Sequence, residues 1–165
     1  MNVSLSFKNL FVPGAEARLP LSALDLDENS HIHGELQFVV GGRVVPYMGY
    51  FGPDDVCFNT WFGEFEQLIA HLDALSSGAY IFDEGEQGQP AYQFDRRGEH
   101  LYLSITASAL STGGEADDDW QQVPFIYAVF KHQYLQCKTT FRATLANEAA
   151  DVYEQWMHDL FARSG

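Results

Sequence analysis

The stretch "GELQFVVGGRVVPYMGY", residues 34–50, constrains the fold more than any other part of the chain. Gly41-Gly42 supplies the positive φ angles of a two-residue hairpin turn, so Val40 is expected to pair with Arg43. Phe38 then faces Val45 and Leu36 faces Tyr47, with these four side chains on one face and Glu35, Gln37 and Pro46 on the other. Pattern and turn chemistry agree here, so antiparallel pairing is the starting assumption for the whole chain.

Other segments extend this grammar. Residues 2–10 alternate, with Val3, Leu5 and Phe7 opposite Ser4, Ser6 and Lys8. In "FNTWFGEFEQLIAHLDALSSG", Trp61, Phe65, Leu68, Leu72 and Leu75 recur at three- and four-residue steps, flanked by Phe62 and Ile69. That is an amphipathic helix, with Asn59 or Thr60 as its cap and Gly78 following its last turn. "AYIFDEGEQGQPAYQFDRRGEHLYLSITA" reads as three short strands joined by "DEGEQGQP" and "DRRG". "VPFIYAVF" and "YLQCKTTFRATL" read as two more, the second with Leu135, Cys137, Thr139, Phe141, Ala143 and Leu145 on one parity. A final helix is expected from about Asn147, its stripe running from Ala149 through Val152, Tyr153, Trp156, Met157, Leu160 and Phe161. The expected class is α+β: one domain over residues 1–165, a mostly antiparallel sheet of about seven or eight strands, and two helices packed on one face. Strand and loop cannot be separated over residues 11–33.

Charge limits function. Nine Lys and Arg stand against 23 Asp and Glu, a formal net charge of −14. Such a surface repels phosphate backbones and anionic membranes, which excludes nucleic acid and lipid as preferred partners, and it attracts basic proteins. The same acidity also serves plain solubility. Neither a signal-peptide pattern nor a long apolar run is present, and Cys57 and Cys137 show no ligand or disulfide spacing, so a soluble cytoplasmic protein is expected.

Catalytic and metal motifs are sparse. Residues 25–36 begin like a calcium loop with Asp25, Asp27 and Asn29, but Ser30 replaces the turn glycine and Leu36 the bidentate glutamate. His31 and His33 share a side if extended, yet spacing gives no third ligand, and solvent-facing histidines at a strand entry are the simpler reading. No cofactor, metal or catalytic residue is therefore assigned. A hydrolase is a third expectation, with Cys57 as nucleophile, and requires a buried histidine within hydrogen-bond reach of it in a cleft.

The loop "STGGEADDDWQQ", residues 111–122, is the candidate partner site. Glu115, Asp117, Asp118 and Asp119 form a block of negative charge, and Trp120 offers the contact area and N–H donor found at interface anchors. The same residues also fit a solvated connector whose Trp120 turns inward to begin the next strand.

The helix "WFGEFEQLIAHLDAL", the strands "YIFDEGEQGQPAYQF" and "RRGEHLYLSI", and the closing helix "VYEQWMHDLFA" together resemble small acidic immunity proteins of bacterial polymorphic toxin and contact-dependent inhibition systems. The resemblance covers roughly residues 60–165 as a pattern. It implies a non-catalytic binder that occludes a cognate basic toxin, in some cases a nuclease. The alternative expectation is a small-ligand-binding or regulatory module with an aromatic pocket between helix and sheet.

Overall fold

The computed structural model describes residues 2–162. Its class is α+β, but the strands divide between two antiparallel sheets and are accompanied by three α-helices. The first sheet contains β1 (Val3–Pro13), β2 (Arg18–Leu19), β3 (His33–Val40), β4 (Arg43–Val44) and β5 (Val56–Cys57). Its order is β2-β1-β3-β4, with β5 also pairing β3. The second is a meander of β6 (Ser77–Phe82), β7 (Ala91–Arg97), β8 (His100–Thr106) and β9 (Val123–Ile126). Between the sheets in sequence runs α1 (Phe58–Asp73), and after them come α2 (Tyr127–Glu148) and α3 (Tyr153–Ala162). A single sheet carrying two helices on one face is thus replaced by two sheets, with α1 touching β3, β5 and β6, and α2 touching β1 and β9.

The glycine hairpin forms as expected. Val40 pairs with Arg43, and Gly41 and Gly42 take φ angles of 60° and 81°. The Val45 N–H still donates to the Phe38 carbonyl at 2.8 Å, but pairing stops there. Tyr47 enters the left-handed region at φ 67° and points outward, so it does not join Leu36, Phe38 and Val45 on the buried face. Proline at position 46 lacks the N–H a continued ladder needs. Before β3, the doubtful region resolves into the β1–β2 hairpin and a short 3-10 turn at Leu21–Ala23.

The segment expected as a strand around Cys137 is helical. In α2 the buried residues are Tyr127, Phe130, Tyr134, Cys137, Phe141 and Leu145, spaced by threes and fours. Leu135 and Phe141, placed together by strand parity, have opposite fates: 60% exposed and fully buried. Thr139 and Thr144 donate their hydroxyls to the carbonyls of Leu135 and Thr140, which accommodates polar β-branched residues on a helix surface. The closing helix starts at Tyr153, later than expected, while Trp156 and Met157 keep the anticipated inward stripe.

Alanine substitution distinguishes helix from strand at this point. Phe141→Ala should cost about 3–5 kcal/mol in urea unfolding, and Leu135→Ala should change stability by no more than about 0.5 kcal/mol. Equal losses at the two positions would contradict helix α2.

Candidate functional site

The acidic loop is ordered by its own hydrogen bonds. The Asp117 N–H donates to the Ile105 carbonyl, the Ile105 N–H to the Trp120 carbonyl, and the Ser108 N–H to that of Gly114. Trp120, expected as a surface anchor, is only 4% exposed and belongs to the apolar core. Arg43 lies over its ring, 4.3 Å from the centroid, and donates to the Asp119 carbonyl at 2.9 Å. Burying the indole removes its area from water, a stronger pull than any contact it makes while exposed. Asp117 is also committed: its carboxylate accepts the Asp119 N–H and the Tyr47 hydroxyl at 2.9 and 2.8 Å. Glu115, Asp118 and Asp119 remain exposed.

Tyr47 links this loop to a second feature. The turn between β4 and β5 is held from beneath, where Trp61 Nε1 donates to the Met48 carbonyl and the Tyr92 hydroxyl to that of Pro46. A side chain on Gly49 would place its Cβ 1.9 Å from the Gly52 carbonyl oxygen, so only glycine allows this tight approach. The result is a fixed turn whose tip presents Tyr50 and Phe51, the latter 80% exposed and in edge-to-face contact with Tyr50.

Beneath that tip, a cleft of about 280 Å³ brings together His31, His33, Asp55, Cys57, Glu84 and Glu86. Its geometry comes from backbone pairing. His33 lies opposite Cys57 in the β3–β5 ladder, and Cys57 is also the N-cap of α1. Asn59, expected as a cap, serves instead as a clamp: its side chain accepts the Ile32 N–H and donates to the Ser30 carbonyl, both at 3.0 Å. Trp156 Nε1 donates to the same carbonyl at 2.7 Å. His31 is thereby held with Nδ1 3.9 Å from Cys57 Sγ. Nδ1 of His33 meets the Asp55 carboxylate at 2.5 Å, leaving Nε2 as its second nitrogen.

This arrangement favours a thiolate. Burial by itself would raise the Cys57 thiol, but hydrogen bonding from His31, His33 and Thr60 prevails and brings it down to about 5. The helix N-terminus adds its positive end. The histidines respond reciprocally. Cys57 raises His31; at His33 burial pulls downward, and hydrogen bonds to Cys57 and Asp55 push further upward. Glu84 across the cleft is raised by burial and then by Glu86 and Cys57, a sign of concentrated negative charge. Chemically, the cluster can act as a nucleophile–base–carboxylate array or as a soft ligand set.

Spacing in the sequence pairs His31 with His33 on one side of an extended segment, but nothing in it joins Cys57 to them. The join depends on the short β5 pairing with β3 across a loop. The calcium-like segment has a different use: Asp25 Oδ1 accepts the N–H groups of Asp27, Glu28 and Asn29, closing its own turn.

Alkylation should report the thiolate directly. Cys57 modification by iodoacetamide should follow a midpoint near pH 5, slowing as acid protonates the sulfur, whereas an ordinary thiol turns over at about 8.5. Cys137, buried with its thiol pushed up to about 12, should stay unreactive in the folded protein. A midpoint above pH 8 at Cys57 would contradict the arrangement.

No family model, curated protein or solved structure matches this chain.

Proposed function

We propose that this chain is a non-catalytic acidic binding protein that docks on a basic protein partner, in the manner of an immunity protein occluding its toxin. The observation that carries this reading is the exposed turn tip Tyr50-Phe51, which shares a cleft with acidic side chains. Glu84 and Glu86 line the cleft under the tip, and the loop bearing Glu115, Asp118 and Asp119 is tied to the same turn through Tyr47 and Asp117. Large rigid aromatics at the centre of a charged surface are the composition of interface anchors.

The division of labour follows from energetics. Burying an aromatic of this size stabilises a complex by about 1.5–3 kcal/mol, and surrounding exposed carboxylates mainly accelerate encounter with a cationic surface. Trp120 supports the reading from inside, since its indole and Arg43 fix the loop that carries the acids. Among the described residues, six of the 23 Asp and Glu side chains pair with Lys, Arg or His. The remainder leaves a strong net negative field available to a partner.

A small-ligand site is a second reading, placed differently from the expected pocket between helix and sheet: the cleft that supports it is lined by strand and turn residues and by none of the helices. An apolar cleft of about 530 Å³ adjoins the turn, lined by Leu36, Val44, Pro46, Tyr47, Met48 and Tyr50. A ligand there would raise Tm in the absence of any protein partner.

The test is co-expression with a basic domain encoded beside the gene. A 1:1 complex is expected, with Kd weakened about tenfold or more by Phe51→Ala, corresponding to about 1.4 kcal/mol, and with an association rate that falls as salt rises. Trp120→Ala should lower the Tm of the free protein. No complex, or a complex indifferent to Tyr50→Ala and Phe51→Ala, would overturn the reading.

A further inference from the structure

We propose that His31, His33 and Cys57 form a binding site for a thiophilic divalent cation of the Zn²⁺ type, with an open fourth position facing the acidic cleft. This goes beyond the docking reading and does not depend on it. The three side chains each offer one ligand atom, and these atoms lie within 4.8 Å of one another. Tetrahedral zinc with bonds of about 2.0–2.1 Å to nitrogen and 2.3 Å to sulfur needs ligand separations of about 3.3–3.6 Å. Cys57 Sγ and His31 Nδ1 are already 3.9 Å apart. Small side-chain rotations that bring the ligand atoms closer by up to about 1.5 Å complete the contraction.

Three further features belong to a metal centre. His33 is oriented by Asp55 through Nδ1, the carboxylate–histidine relationship that fixes the tautomer and leaves Nε2 to ligate. The backbone on both sides is rigid, because the β3–β5 pairing sets His33 against Cys57 and the Asn59 clamp sets His31. The cleft also gathers carboxylates: Asp55, Glu84 and Glu86 share it with the thiol. A nucleophile acting on a carbonyl develops a negative oxygen, which those carboxylates would oppose. A dication is favoured by them instead.

The donor set selects the ion. Thiolate and imidazole suit Zn²⁺ and its neighbours in the first transition row, and disfavour Mg²⁺ and Ca²⁺, which require oxygen ligands. Three protein ligands with one free position also match the open type of zinc site, in which water or a partner's side chain takes the fourth place. Glu84 and Glu86 line the same cleft and offer carboxylates for an internal fourth ligand.

Metal uptake is measurable without any partner, so its failure and failure of the docking reading are separable. Chelator-treated protein titrated calorimetrically with Zn²⁺ should bind one ion with Kd on the order of 1 μM or tighter. Cys57→Ser or His33→Ala should weaken it about 100-fold, and Asp55→Asn about 10-fold. Substitution of the α2 residue His132 by Ala should leave binding unchanged. Co²⁺ should give a thiolate-to-metal charge-transfer band that Cys57→Ser abolishes while circular dichroism shows an intact fold. Bound Zn²⁺ should slow Cys57 alkylation at least tenfold. A flat titration, or equal affinity in wild type and Cys57→Ser, would overturn the proposal.

Discussion

Phe38 is the joint on which the architecture turns. Its ring, fully buried, meets Phe65, Phe125 and Phe130 with centroids 5.6, 6.1 and 5.9 Å away. Those partners belong to α1, β9 and α2, so one side chain of β3 ties the first sheet to the second sheet and to two helices. The pairs with Phe65 and Phe125 are edge-to-face and that with Phe130 is tilted, and aromatic pairs contribute about 0.5–1.5 kcal/mol each beyond their buried area. A sheet face and a helix stripe cannot be stable while wet, and this cluster is where both sheets and both helices lose water together.

The site inherits its precision from that joint. β3 begins at His33 and α1 begins immediately after Cys57, so the elements fixed by Phe38 and Phe65 also fix the two ends of the His–Cys contact. Phe58 continues the same logic, stacking on Phe141 of α2 directly after the cysteine. Function-bearing groups thus sit at element ends, where side chains reach a cleft without surrendering the core. The aromatic tip above them is likewise held by core residues, Trp61 and Tyr92, through hydrogen bonds to backbone carbonyls.

Local signals were legible where turn chemistry and periodicity agreed. The glycine hairpin, the inward stripe of α1 from Trp61 to Leu72, and the β6–β7–β8 meander all follow from the residues alone. The strand pattern over the segment that forms α2 is deceptive because Cys137, Phe141 and Leu145 are four apart, and a step of four satisfies both the strand period of two and the helical face. The deciding residues were Tyr127, Phe130 and Tyr134, whose spacing mixes odd and even steps. Trp120 is ambiguous for another reason: an indole next to aspartates has two stable environments, and the core that receives it, with Arg43 from 77 residues earlier over its ring, is not local in sequence. The His31/His33 pair is visible in local spacing, but Cys57 joins it through a two-residue strand that has no local signal.

The central functional claim is that the turn carrying Tyr50 and Phe51, with its flanking acids, is the docking face. Hydrogen–deuterium exchange on the free protein and on its complex with the basic partner addresses that face directly. Backbone amides of residues 44–57, 84–88 and 115–119 should become protected in the complex, while the outward surface of α2 around Leu135 exchanges at its free rate. Protection confined to α2, with residues 44–57 unchanged, would contradict the account.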